Sequence, residues 1–275
     1  MSPRSILITG CSSGIGEYCA HALSGRGWRV FATARTDDDL ARLRAEGLKA
    51  LYLDYREPKS IEALAEKVLE LSGGRLDALF NNGGYAQPGA VEDISSALLR
   101  QQFEANFFGW HDLTCRLVPA MRRQGSGRIV MCSSVLGLWA LKYRGAYTAT
   151  KFAIEGLSDT LRLELRGSGI FVSTIEPGAI RSRFREHALD AFLSNIDREN
   201  SAHAKAYEGQ LARLEGRRQG RFRRGHEAVY AKLLHALESP RPRAHYHVTP
   251  ATRLVALALR VLPRQTLDWA ADRLS

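Results

Sequence analysis

A short apolar run passes through a glycine-rich turn directly into a helical stretch, and this limits the folds open to the chain more than any other feature. The run is Ser5–Thr9, the turn is Gly10-Cys11-Ser12-Ser13-Gly14-Ile15-Gly16, and Ile15–Ser24 has helical character before Gly25 and Gly27. Glycines in such a turn let the backbone bend tightly and approach a pyrophosphate, while the helix N-terminus offers free N–H groups and a positive dipole end. The spacing is G-x-x-x-G-x-G rather than G-x-G-x-x-G. Its position between strand and helix is the context this mechanism needs. Gly10-Cys11-Ser12-Ser13-Gly14 also has the spacing of a hydrolase nucleophile elbow. That alternative lacks earlier strands to build an oxyanion loop and lacks an HGGG-like stretch, so we set it aside.

The alternation continues. Strand candidates follow at Trp28–Ala34, Lys49–Asp54, Leu76–Asn81, Arg128–Ser133 and Ile170–Glu176. Between them, Ser60–Leu71 repeats apolar residues at helical spacing, and Tyr147–Arg166 reads as a helix ended by Gly167. Ile94–Arg123 reads as helical with an expected break near Asn106–Gly109. Strands separated by helices predict right-handed crossovers and an α/β fold, a Rossmann-type doubly wound parallel sheet with helices on both faces. After Pro177 the pattern loosens into a polar, basic stretch at 181–226. A last strand is predicted at His245–Thr249, then helical stretches at Ala251–Leu262 and Leu267–Leu274. No linker divides the 275 residues, which predicts one domain. Its core would be 1–180, and 181–275 an elaborated C-terminal third holding a substrate loop and helices.

Hydrophobic content of 45% and charged content of 25% fit an ordinary soluble globular protein. The four cysteines (11, 19, 115 and 132) form no CxxC pair and no cluster with histidine, so neither a zinc site nor a disulfide framework is expected, and no metal. The N-terminal apolar run is too short for a signal peptide, and no stretch approaches a membrane span, which predicts a cytoplasmic protein. Net charge is +10, of which +8 comes from the 18 basic and 10 acidic residues after position 180. The densest tract is Arg217–Arg224. It offers a patch for an anionic partner, but with Phe222 as its one stacking aromatic we do not expect nucleic acid.

Tyr147 and Lys151 are spaced four apart, on one helix face, with Ser133 and Ser134 at the end of the preceding strand. A phenol beside an ammonium offers a proton-transfer pair. The chain holds a second such pair, Tyr55 and Lys59, but Pro58 interrupts it and Arg42 stands where a serine would be needed. At the end of strand two, Arg35 follows Ala34, where an acidic residue binds a ribose 2′-hydroxyl and an arginine a 2′-phosphate, so NADP(H) is favoured over NAD(H). Asp37–Asp39 are assigned to the next helix start, and Asp54 to the adenine.

Taken together, these motifs resemble the short-chain dehydrogenase/reductase family over residues 5 to about 185, in a branch akin to NADP-dependent 17β-hydroxysteroid and retinol dehydrogenases and bacterial aldehyde reductases. The resemblance rests on the Thr9–Gly16 coenzyme loop, Asn81-Asn82-Gly83-Gly84, Asn106, Ser134, Tyr147 with Lys151, and Pro177-Gly178. Gly83 stands where the family carries alanine, a departure expected to loosen that loop. The resemblance implies a catalytic set of Ser134, Tyr147, Lys151 and Asn106, with Ser134 chosen by its 13-residue step to Tyr147. It implies cofactor contacts from Gly10, Ser12, Ser13, Gly14, Ile15, Gly16, Arg35, Asp54, Asn82, Gly83, Tyr147, Lys151, Pro177, Gly178, Ile180 and Ser182.

The implied chemistry is hydride transfer at a carbonyl or alcohol carbon. Tyr147 would be the acid/base, lowered in pKa by Lys151 and the positive nicotinamide ring; Ser134 would bind the substrate oxygen, and Asn106 would hold a water. Leu136, Leu138, Trp139 and Leu141, with Phe184, His187, Leu189, Phe192 and Leu193 beyond Pro177, predict a bulky hydrophobic aldehyde, ketone or alcohol. Ser134, Leu136, Trp139, Tyr147, Phe184 and His187 are the expected substrate contacts. A homodimer or homotetramer is expected, with peripheral membrane contact through the basic C-terminal third. The alternative is a non-catalytic NADP-sensing regulator on the same fold.

Overall fold

The chain's computed structural model describes residues 3–216 and 223–274. Seven parallel strands form one sheet: β1 (Ser5–Ile8), β2 (Arg29–Ala34), β3 (Lys49–Tyr52), β4 (Ala78–Asn81), β5 (Gly127–Cys132), β6 (Ile170–Glu176) and β7 (His245–His247). Their order is β3-β2-β1-β4-β5-β6-β7. Leu7 stands opposite Phe31 on one side and Leu79 on the other, and all three are fully buried. A strand covered on both faces reads as a continuous apolar run, which is why β1 and β4 carry no alternation. Helices lie on both sides of the sheet: the Rossmann-type fold expected from the alternation.

The strand order turns back between β1 and β4, so the chain leaves these neighbours toward opposite edges. In an open parallel sheet a crevice forms at such a switch point, at the carboxyl ends of the strands. Two loops meet there. One joins β1 to α1 (Gly14–Ser24), and the other runs on from β4 through Asn82-Gly83-Gly84.

Helix α2 (Asp37–Ala45) starts at the three aspartates, capped by Thr36, whose Oγ accepts the Asp39 N–H. Helix α3 (Pro58–Leu71) packs against the helix that follows β4. That following stretch departs from expectation in two ways. Its first helix, α4, spans Ser96–Phe103, begun by Ser95 rather than Ile94. The expected break is instead one π-helical turn, Glu104–Phe108, running without interruption into α5 (Gly109–Gln124). Such a turn takes in one extra residue without ending the helix, and π turns recur at functional sites. Here it carries Asn106, which is fully buried.

Helix α6 (Gly145–Glu164) lies along β6 and carries Tyr147 and Lys151. Beyond β6, α7 (Phe184–Asn195) and α8 (Ala204–Leu214) form a roof with a small apolar core of its own. Phe192, Tyr207, Ile196 and Leu214 pack there with Ala86, Ala90 and Tyr147. The crevice is therefore bounded by two apolar clusters, the large one around the sheet and this one.

Residues 217–222, most of the basic tract, lie outside the described residues. The chain is described again where Arg224 pairs with the Ala179–Arg181 backbone. Helix α9 (Glu227–Glu238) packs on α1 and on β5 and β6. Helices α10 (Pro250–Val261) and α11 (Arg264–Leu274) close the fold, and α10 exposes Leu254, Leu257 and Val261. Among the described residues no helix is long and apolar enough to cross a membrane.

Candidate active site

A cavity of about 540 Å³ opens at the switch point. Of the residues expected to bind cofactor or substrate or to carry catalysis, all but Gly16 and Trp139 line it. Gly16 lies underneath: a Cβ there would strike the Gly10 carbonyl oxygen, so its role is to let α1 pack on the loop. Trp139 is buried outside the lining, so it joins the protein interior rather than a substrate surface.

The glycine loop forms one end. Gly10 has φ +69°, and a side chain there would run into the Gly83 Cα. The loop is tied down by its own backbone and by neighbours. Gly10 N–H donates to Thr33 Oγ1 (3.2 Å), Asn82 Nδ2 to the Thr9 carbonyl (3.0 Å), and Arg42 to the Ser12 carbonyl (2.8 Å). Ser13, the residue before α1, provides no side-chain cap, so the first-turn N–H groups of α1 have no side-chain oxygen on them. A Cβ on Gly14 would lie 3.4 Å from Ser182 Cβ, so the segment after β6 folds down over the loop. Arg35 is exposed on the cavity wall. Asp54 is clamped by Arg56 through Nη2 (2.6 Å), Nε (3.1 Å) and the backbone N–H (2.9 Å). Burial pushes its carboxyl up, but these bonds outweigh it and hold the group below the usual carboxylate range.

At the middle of the cavity Tyr147 and Lys151 share one face of α6, both more than nine-tenths buried. Lys151 Nζ donates to the Cys132 carbonyl (2.7 Å) and lies 4.5 Å from the Trp110 ring centroid and 5.4 Å from that of Tyr147. Burial pushes the ammonium down to about 8. The Tyr147 phenol is pushed well up, chiefly by burial, and its hydrogen bond with Ser134 offsets this only in part. Without the positive nicotinamide ring, which was expected to lower the phenol together with Lys151, desolvation of the phenolate dominates, and the ammonium donates to a carbonyl beside an indole. Ser134 is the hydroxyl on Tyr147, whereas neighbouring Ser133 is buried with its Oγ unpartnered. Ser134 Oγ also accepts the Leu136 N–H (3.1 Å).

Asn106 holds the loop after β4. Its Nδ2 donates to the Tyr85 carbonyl (2.8 Å) and its Oδ1 accepts the Tyr85 N–H (3.1 Å). A side chain on Gly84 would press on that amide. The second Tyr-x-x-x-Lys pair is split between the interior and the surface. Tyr55 is buried and donates to Asn81 Oδ1 (3.1 Å), while Lys59 is exposed. Close packing also accounts for Gly83. A Cβ there would lie 3.1 Å from the Gly10 nitrogen and 3.3 Å from the Tyr55 ring, so the glycine makes room for the coenzyme loop and the ring rather than loosening its own loop.

Leu136, Leu141, Ala188 and Leu214 give the far end an apolar wall. Phe184 stands edge-on to Tyr147, with ring centroids 5.6 Å apart. On α7, Ala188 and Phe192 face inward and Leu193 is exposed. Sequence reasoning missed Trp110, whose place below Lys151 depends on the π turn, and missed Arg144, Arg185 and Arg213, which line this end from three separate elements.

The profile of the family described as short chain dehydrogenase matches residues 4–191. An uncharacterized oxidoreductase of Escherichia coli, YbbO, is 43% identical over 96% of this chain and 93% of its own. Human 17-beta-hydroxysteroid dehydrogenase type 1 is 33% identical over 90% of this chain and 78% of its own. Among solved structures, a short-chain dehydrogenase/reductase from Burkholderia phymatum in complex with NAD superposes with a TM-score of 0.79. It is 25% identical and covers 94% of this chain and 92% of that one. An actinorhodin polyketide ketoreductase variant with NADPH superposes with a TM-score of 0.74 at 28% identity, over 91% and 97%. Fold, glycine loop and matched sequence agree: the chain belongs to the short-chain dehydrogenase family and is an oxidoreductase with a nicotinamide dinucleotide cofactor.

Proposed function

We propose that the chain is an NADP(H)-dependent reductase of hydrophobic aldehydes or ketones, acting also on the corresponding alcohols. The observation that carries this reading is the convergence of Ser134, Tyr147, Lys151 and Asn106 on one cavity whose other end is the glycine loop. The cavity suits a dinucleotide: left-handed Gly10 and Gly14, the uncapped first turn of α1 and the adjoining Arg35 form a cradle of exposed backbone with a cation beside it. Bound there, the cofactor supplies the hydride.

The residues do the rest. Ser134 donates a hydrogen bond to the substrate oxygen and stabilises its developing negative charge. Tyr147 gives that oxygen its proton in reduction and takes it back in oxidation. Lys151, 5.4 Å from the phenol ring, stabilises the phenolate left behind. The side-chain amide of Asn106 is committed to Tyr85, so its backbone carbonyl, in the π turn, is the group assigned to a water between Lys151 and solvent.

Arg35 favours NADP(H), because a guanidinium makes charge-assisted bonds to a 2′-phosphate and no carboxylate pairs with it among the described residues. The apolar far wall and the steroid named for one relative favour a bulky apolar substrate. We further read the chain as a homodimer or homotetramer whose α10–α11 face touches anionic membrane surfaces. NADPH oxidation measured over aldehydes and ketones of graded chain length tests the main reading. No turnover across the panel would favour the non-catalytic sensor instead.

A further inference from the structure

The substrate end of the cavity is apolar except for three guanidinium groups and His187. Arg144 directly precedes α6, Arg185 lies in the first turn of α7, and Arg213 in the last turn of α8. The fold, not local sequence, brings them together.

None has a carboxylate partner among the described residues. Arg144 donates to the Tyr143 carbonyl (2.9 Å) and Arg213 to the Leu274 carbonyl (2.7 Å). Arg185 Nη1 is buried with no partner at all. The acid next to it, Glu186, pairs with Arg183 (3.2 Å). The three groups also feel one another. Burial, then Arg213 and Arg185, push the Arg144 guanidinium down to about 10, and Arg185 is lowered by burial, Arg223 and Arg213. Crowded, desolvated like charges without a counter-ion are costly to hold. An anionic ligand removes that cost.

These arginines do not belong to the nucleotide end. Arg144 stands three residues before Tyr147, at the N-terminal end of α6, and its backbone bridges to Gly89. Leu214, next to Arg213, and Ala188, one turn along α7 from Arg185, pack in the apolar cluster with Tyr147, whereas Arg35 follows β2, whose Thr33 holds the glycine loop.

We propose that Arg144, Arg185 and Arg213 form a specificity site for an anionic head group, a carboxylate or a phosphate, carried by an apolar substrate at the end away from its reacting carbonyl. This deepens the reductase reading and rests on it. Substrates with an ammonium at that end are excluded by the same charges.

The test reads binding without turnover. Octanoate, octyl phosphate, 1-octanol and octylamine are titrated calorimetrically into the full chain. The two anions bind at least about tenfold more tightly than 1-octanol, since charge-assisted bonds to guanidinium are the strong ones. Octylamine binds most weakly, and the tighter of the two anions identifies the head group. Arg185→Leu and Arg144→Leu each remove most of the anion advantage, and Arg185→Lys restores part of it. NADPH binding, measured by fluorescence, reports whether each variant is folded. Equal binding of octanoate, octyl phosphate and 1-octanol to the unaltered chain overturns the proposal, as does an anion advantage that survives loss of both Arg144 and Arg185. Failure of the reductase reading shows separately, as absence of NADPH oxidation with octanal.

Discussion

The ammonium of Lys151 lies 4.5 Å from the ring centroid of Trp110. The indole is itself fixed: its Nε1 donates to the Gly83 carbonyl (2.8 Å), and the Tyr55 ring sits 6.4 Å away. Tyr55 fits there because a Cβ on Gly109 would collide with it. One buried stack therefore links the loop after β4, the π turn and the lysine. It holds the Lys151 side chain between an aromatic face and the Cys132 carbonyl, where it meets both Tyr147 and the cavity.

Trp110→Ala tests that stack. Removing a side chain with 1% exposure leaves a cavity and costs about 3–5 kcal/mol of stability, read as a lower Tm. Trp110→Phe keeps an aromatic face and loses the Gly83 hydrogen bond, worth about 1 kcal/mol. We expect kcat to fall in both with little change in KM, and further in the alanine variant. Wild-type kcat in Trp110→Ala would show that the indole does not position Lys151.

Arg35→Asp tests the cofactor assignment. It removes a cation suited to a 2′-phosphate and supplies a carboxylate suited to a 2′-hydroxyl. The ratio of kcat/KM for NADPH over NADH should fall by about 100-fold, the loss of roughly two charge-assisted bonds. An unchanged ratio would remove Arg35 from cofactor selection.

The glycine loop, the strand ends and the Ser134–Tyr147–Lys151 set were legible in sequence because each depends on local backbone or on fixed spacing. Asn106 lines the cavity, but its π turn was not legible, since residues 96–124 keep helical periodicity through it. That Trp139 lies outside the cavity lining was not legible, because apolar character does not say whether a side chain meets the cavity or the interior. The desolvation that raises Tyr147 in the chain alone was not legible, because it depends on the roof of α7 and α8. The three arginines at the substrate end were invisible, being 28 or more residues apart along the chain from one element to the next.

Stability should respond to pH through His245. It lies 3.0 Å from Glu176, 3.6 Å from Glu155 and 3.3 Å from Asp159. The adjoining Glu155 carboxylate and the hydrogen bond with Glu176 raise it from 6.5 to about 10. The folded state then holds a proton that the unfolded chain releases, so this stabilisation is full below pH 6.5 and is lost as pH rises toward 10. Lys151, lowered from 10.5 to about 8, acts with opposite sign between those values. Comparing Tm of wild type and His245→Gln across pH 6–10 isolates the histidine. The variant should start lower and decline less; parallel curves would contradict the assignment.

Membrane contact is predicted through α10, where exposed Leu254, Leu257 and Val261 are flanked by exposed Arg253, Arg260 and Arg264. An apolar face bordered by cations suits an anionic surface. The chain should sediment with anionic liposomes at low salt, release at high salt, and lose this behaviour in Leu254→Glu/Leu257→Glu. Equal sedimentation of that variant would place the contact elsewhere.

The most direct measurement is NADPH oxidation by Tyr147→Phe with an apolar aldehyde such as octanal, alongside NADPH binding. Loss of the positioned acid should lower kcat by about 10²–10⁴-fold while NADPH still binds. Turnover at the wild-type rate in that variant would contradict the account.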